Sequence, residues 1–230
     1  MTVTEEYIEN SPITLNEFFS YSTVQKKIRL HYPPKILRIL LLTGLAVYLC
    51  MLIGSVSISK LFGYKIISHT ISQLGAMAIS PIPFMFDSAC MIGGLTSILF
   101  FYILSRKIQF TYNSLIINKV SLVAKWIGIM GSIGTLALGI FSLDRSGPHG
   151  IYHVISSLCA FGGYILALSV FGAILIRSKS KLLKIISIKA MFPCLILIIG
   201  LIFPCPLLEW MLLLSILELL ILFFSWVCFN

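Results

Sequence analysis

Residues 143–176 read LDRSGPHGIYHVISSLCAFGGYILALSVFGAILI, and two features of that string decide how the chain folds. Its opening holds an aspartate, two of the chain's four histidines and Pro148. Proline lacks the donor that the first turn of a helix cannot use, so a helix opens there with Ser146 or Gly147 as its cap. The remainder, through Ile176, is apolar all round, which is the pattern of a membrane span rather than of a soluble amphipathic helix. By helical periodicity His149, Tyr152, His153 and Ser156 share one face, continued by the small residues Ala160 and Gly163. The polar chemistry therefore sits at one end of a span.

Working outward, composition gives the same class. The 230 residues are 58% hydrophobic and only 11% charged, against about a quarter charged in soluble domains. The net charge of +9 raises nucleic acid as a partner, but Lys and Arg flank the apolar runs on alternating sides instead of forming one stripe. That is an insertion signal, so the expected partners are membrane lipids and not nucleic acid. Cys50, Cys90, Cys159, Cys194 and Cys228 lie in apolar runs and Cys205 in a Pro-flanked turn; no spacing suggests a disulfide framework or a cysteine zinc site.

The periodicity predicts an all-α integral membrane six-helix bundle with an additional amphipathic outer-loop helix. Residues 1–34 are a polar cytoplasmic tail, acidic then basic, and residues 35–230 a six-span transmembrane domain whose first span, not a cleaved leader, is the anchor. Spans are expected at about 36–58, 84–104, 121–143, 148–176, 185–203 and 207–227. Between the first two, residues 65–78 place Ile67, Ile71, Leu74 and Ala78 on one face and His69, Ser72 and Gln73 on the other. That segment is too short to span and reads as an interfacial or re-entrant helix. In the third span Gly128, Ser132, Thr135 and Gly139 form a small-residue stripe for close helix packing, and Lys125 can snorkel outward. Glu209 and Glu218 in the sixth span stand on opposite faces.

With the N-terminus inside, thirteen Lys and Arg fall in inner segments and three, Lys60, Lys65 and Arg145, in outer ones. Basic loops stay cytoplasmic, so both termini are expected inside a plasma-membrane protein. His69, Asp87, Asp144, His149, His153 and Glu209 then gather at the outer mouth, with Glu218 near the midplane.

Several short motifs in this order resemble a known family: Ile-Ser-Gln-Leu-Gly at 71–75, Phe86-Asp87, Gly93-Gly94, the segment from Gly139 to Asp144, His149-Gly-x-x-His153, and Glu209 opening the sixth span. They are similar to the six-span membrane family called domain of unknown function 998, over roughly residues 36–228. The resemblance implies the fold and topology and brings no activity. Gln73 stands where the family pattern has Glu and Asp87 where it has Asn, which suggests that the two side chains are hydrogen-bonded neighbours that have exchanged a charge. Polar residues at the ends of a small bundle are also similar to alkaline-ceramidase-like membrane hydrolases, which use Ser, Asp and His around zinc.

Three functions follow as expectations. The first is a structural or accessory polytopic membrane protein whose His/Asp/Glu cluster satisfies its own hydrogen bonds. The second is a zinc-dependent membrane hydrolase of a lipid ester or amide, with Asp144, His149 and His153 as catalytic candidates and His149, His153, Asp144, His69, Asp87 and Glu209 as candidate zinc ligands. The third is a transporter or a small-ligand or lipid binding protein, in which Gln73, Ser72, Tyr152, Ser156 and Glu218 join the polar set.

Overall fold

The computed structural model describes residues 35–112, 114–146 and 150–229. The polar tail, 1–34, and His149 lie outside the described residues. Among those described there is no strand, and the helices are α1 (Lys35–Leu61), α2 (Pro83–Tyr112), α3 (Leu115–Ile140), α4 (Ile151–Leu175), α5 (Lys181–Lys189), α6 (Phe192–Ile202) and α7 (Pro206–Phe229). Six stretches are long and apolar enough to cross a membrane, α5 and α6 together making the fifth, Lys181–Ile202. The protein is an integral membrane helical bundle.

The fifth span breaks at Ala190 and Met191 because Pro193 has no N–H and its ring clashes with the carbonyl four residues earlier. Ser169 of α4 donates to the carbonyl of Ala190 at 3.0 Å, so a backbone acceptor at the break is not left bare in the apolar interior.

Two glycine rows on α3 let its neighbours approach to backbone contact. Gly128 and Gly139 face α2, where an added Cβ would meet Phe101 at 2.5 Å and the carbonyl of Asp87 at 2.5 Å. On the other side Gly131 and Gly134 face α4: a Cβ on Gly163 would come within 2.5 Å of the Gly131 Cα. Small residues serve this purpose in membranes because apolar surface gains nothing by leaving lipid, and dispersion between close backbones must supply the attraction. The expected stripe is thus a packing surface, with Thr135 turned toward Tyr164, its Oγ1 3.0 Å from the phenol oxygen.

The segment between the first two spans differs from the helix expected over residues 65–78. Only Ile71–Gly75 is helical, as one 3-10 turn. The Tyr64 hydroxyl donates to the Thr70 carbonyl at 2.9 Å, and Trp210 Nε1 to the His69 carbonyl at 3.2 Å. Those carbonyls would otherwise serve a continuous α-helix. The apolar side still does what its pattern implies, since Ile71 and Leu74 are buried against the bundle.

Lys189 is part of the fifth span and not of a flanking loop, and it pairs with Glu218 midway along α7. Both side chains are about half exposed on the apolar flank, so each charge there is compensated by the other. Two outcomes are expected from thermal unfolding in detergent. Gly163→Ala lowers stability by about 1–3 kcal/mol because backbone cannot yield, whereas Gly162→Ala, with nothing within 4 Å of its Cβ, is neutral or stabilising. Lys189→Met alone destabilises more than Lys189→Met with Glu218→Leu, because the single change strands a carboxylate.

Candidate functional site

At one end of the bundle the 3-10 turn, the starts of α2, α4 and α7, and the turn after α3 converge. The first polar group there is ionic. Arg145, in the turn between α3 and α4, reaches Asp87 at the start of α2 with its guanidinium, and its Nε stands 3.7 Å from Asp144 Oδ1 and donates to Ser142 Oγ at 2.7 Å. Ser142 Oγ donates in turn to Asp144 Oδ1 at 3.2 Å, and the backbone N–H of Met77 donates to Asp144 Oδ2 at 2.9 Å. One arginine therefore ties the second span, the α3–α4 turn and the first loop together. Partial burial raises the Asp144 carboxyl, but the Met77 amide, the Ser142 hydroxyl, its own backbone amide and Arg145 outweigh it and hold the group below the ordinary aspartate range. Burial pushes the Tyr64 phenol up, as suits a hydroxyl used as a donor.

The second group is His153 with Ser72 and Glu209. His153 is buried, 4% exposed, in the first turn of α4. Its Nδ1 lies 2.9 Å from the carbonyl of Phe141. A carbonyl only accepts, so Nδ1 carries the proton, and in the neutral ring Nε2 is left as a lone pair. That nitrogen is buried with no hydrogen-bond partner. Ser72 in the 3-10 turn donates to Glu209 Oε1 at 3.0 Å.

Two hollows meet at His153. One is an internal cavity of about 80 Å³ among α1, α2, α3, α4 and α7, walled mostly by apolar side chains, with Tyr48, Ser97 and Tyr164 among the polar ones. The other is a crevice of about 600 Å³ between α4, α6 and α7, walled by Leu158, Ile196, Leu201 and Leu212 and ended by Ser72, His153 and Glu209. Ser72, His153 and Phe161 line both. The rim residues Leu158 and Leu201 are 66% and 74% exposed, so in a membrane the crevice opens sideways to lipid.

The other sequence candidates are placed as follows. His69 accepts the Lys65 N–H at 3.1 Å with Nδ1 and stays in its own loop. Gln73 Oε1 accepts the Thr70 N–H at 3.0 Å and makes no hydrogen bond with Asp87, so the expected contact between them is replaced by a local cap and an arginine pair. Tyr152 points away from the bundle, tilted against Phe141, while Ser156 is buried beside His153 on the inward side. Glu218 is far from this end, held by Lys189. Among the described residues no three His, Cys, Asp or Glu side chains group as a metal shell; the carboxylates are engaged by Arg145 and Ser72. Arg145 escaped the sequence reading. Its signal was present: a cation next to Asp144 in sequence, at the end where Asp87 and Glu209 also gather.

The family model described as "Protein of unknown function (DUF998)" matches residues 41–229. The chain belongs to this family. The curated proteins and the solved structures hold no match to it. Within the DUF998 region, the motif residues Ser72, Asp87, Asp144, His153 and Glu209 are the ones the fold assembles at a single end, around Arg145 and the two hollows.

The depressed Asp144 gives a sign for pH. A carboxylate bound more strongly in the folded state contributes stability that is complete above its unfolded pKa, near 3.9, and is lost as pH falls through the lower folded value. Thermal melts from pH 6 to pH 3 should show wild type above Asp144→Asn at pH 6, with the gap narrowing as pH falls below about 4. A gap constant across that range means that the Asp144 charge contributes nothing.

Proposed function

We propose that this protein binds a membrane amphiphile whose apolar chain lies in the crevice between α4, α6 and α7 and whose head donates a hydrogen bond to His153 Nε2. The observation that carries this reading is His153 Nε2, buried, unpartnered and on the wall shared by cavity and crevice. An unsatisfied buried polar atom costs on the order of 1–3 kcal/mol, and a hydroxyl or amine supplied by the ligand removes that cost. Glu209 and Ser72 stand beside it as further acceptors for the same head. Apolar walls with a few convergent polar groups are the usual composition of a ligand site. The sideways opening suits a ligand that arrives through the lipid phase.

The charge distribution supports a plasma-membrane protein with both termini and the 1–34 tail in the cytoplasm and the His153 end facing outward. On that reading the ligand enters from the outer leaflet.

Gly162 and Gly200 line the crevice with room around them: an added Cβ meets nothing within 4 Å at Gly162 and only Leu208 Cβ at 3.9 Å at Gly200. Gly162→Leu and Gly200→Leu therefore plug the crevice without pushing helices apart. Native mass spectrometry of protein purified in mild detergent is expected to find one amphiphile retained by wild type and lost, by tenfold or more in occupancy, from Gly162→Leu with unchanged melting. Equal retention in the plugged and open proteins contradicts the proposal.

A further inference from the structure

At the opposite end of the bundle, the hairpin of α2 and α3 forms a third hollow that the His153 site does not touch. It measures about 370 Å³ and is lined by Tyr102, Ser105, Arg106 and Gln109 of α2 and by Asn118, Lys119, Leu122 and Lys125 of α3. Ser105 of the lining also meets Ser121 of α3, their hydroxyls 2.8 Å apart, which holds the two helices together beside the hollow. Three cations stand around it, and among the described residues none has an acidic partner, the ion pairs being those of Arg145 and Lys189 elsewhere in the bundle. Tyr102 lies between two of them, with the Arg106 guanidinium carbon 5.6 Å and Lys125 Nζ 5.9 Å from its ring centre. Cation–π attraction thus holds positive charge around the hollow without neutralising it. Gln109 adds an amide, engaged with Ser105 Oγ at 3.2 Å.

A second observation refines the chemistry. Asn118 Oδ1 is buried at this hollow with no partner. Uncompensated cations call for an anion, and a buried acceptor calls for a donor on the same molecule. We infer that the α2–α3 hairpin is a binding site for an anionic phospholipid whose phosphodiester carries a hydroxylated alcohol, the phosphate meeting Arg106, Lys119 and Lys125 and a hydroxyl donating to Asn118. The lipid source follows from position: the hollow lies at the end of two spanning helices, where headgroups reside, and the exposed apolar flank of Leu122 and Val123 beside it can carry the acyl chains. Basic pockets between membrane helices are a known mode of headgroup capture.

The test uses the full-length protein in neutral detergent, titrated with phosphatidylglycerol, phosphatidylethanol, phosphatidylcholine or glycerol 3-phosphate and read by native mass spectrometry and thermal shift. Phosphatidylglycerol should bind about tenfold or more tightly than phosphatidylcholine, given the usual contribution of each basic residue facing an anionic headgroup. Arg106→Gln with Lys119→Gln, both exposed and harmless to packing, should abolish that preference. Lys181→Gln with Lys184→Gln, which removes equal charge elsewhere, should leave it intact. Phosphatidylethanol has the same charge without the hydroxyl and should bind several-fold more weakly than phosphatidylglycerol, a difference that Asn118→Leu erases. Equal binding of phosphatidylglycerol and phosphatidylcholine, or a preference surviving in the Arg106/Lys119 variant, overturns the site. Saturation by glycerol 3-phosphate at the concentrations that phosphatidylglycerol requires overturns the lipid assignment in favour of a free phosphate ester.

Discussion

The pairing of Arg145 with Asp87 is the constraint on which the polar end of this protein depends. Asp87 is almost fully buried, and a carboxylate in that setting is tolerable only with a charged partner. Arginine suits the task because its planar fork can engage several acceptors at once, here Asp87, Asp144 and Ser142. The consequence reaches beyond the pair. Arg145 ties down the turn that follows Phe141, whose carbonyl holds Nδ1 of His153. The orientation and tautomer of the histidine are set by that carbonyl, at the C-cap of α3 just before the turn whose Arg145 reaches Asp87, as outer hydrogen bonds commonly set a functional imidazole.

The bundle divides its chemistry between two ends and keeps the middle apolar. Close glycine contacts join α2, α3 and α4, and at Gly172 also α5, where Ser187 donates to the Gly172 carbonyl at 2.7 Å, while α6, the second half of the broken fifth span, lines the open crevice with α4 and α7. A Pro-induced break is one of the few ways to separate two helices at mid-membrane while their backbone remains satisfied, and Ser169 supplies a donor at that point. The architecture thereby sets the closely packed wall carrying His153 beside an open crevice into which a lipid chain can pass.

Much of this was legible in the sequence because it depends on periodicity and hydropathy. The six spans and the small-residue row on α3 follow from counting along helices, and so does the placement of Asp87, Asp144, His153 and Glu209 at one end. Partner choice does not follow, because it depends on which helices end up adjacent. Gln73 turns back to Thr70 instead of meeting Asp87, since the 3-10 turn offers a nearer donor. The helix expected over 65–78 is reduced to one 3-10 turn, with Trp210 and Tyr64 donating to the His69 and Thr70 carbonyls at its start. Tyr152 leaves the polar face because only the His153–Ser156 side of that face is inward. The pairing of Lys189 with Glu218 across the fifth and sixth spans is likewise a matter of which helices are adjacent.

The most direct test of the account is nitrogen NMR of the His153 imidazole in lipid nanodiscs, assigned by comparison with His153→Gln. The expected result is a ring protonated on Nδ1, with an Nε2 resonance that shifts when a hydroxyl-bearing amphiphile is added and does not shift in the Gly162→Leu protein. A ring protonated on Nε2, or an Nε2 resonance indifferent to added amphiphile, would contradict the claim that this nitrogen is the ligand's acceptor.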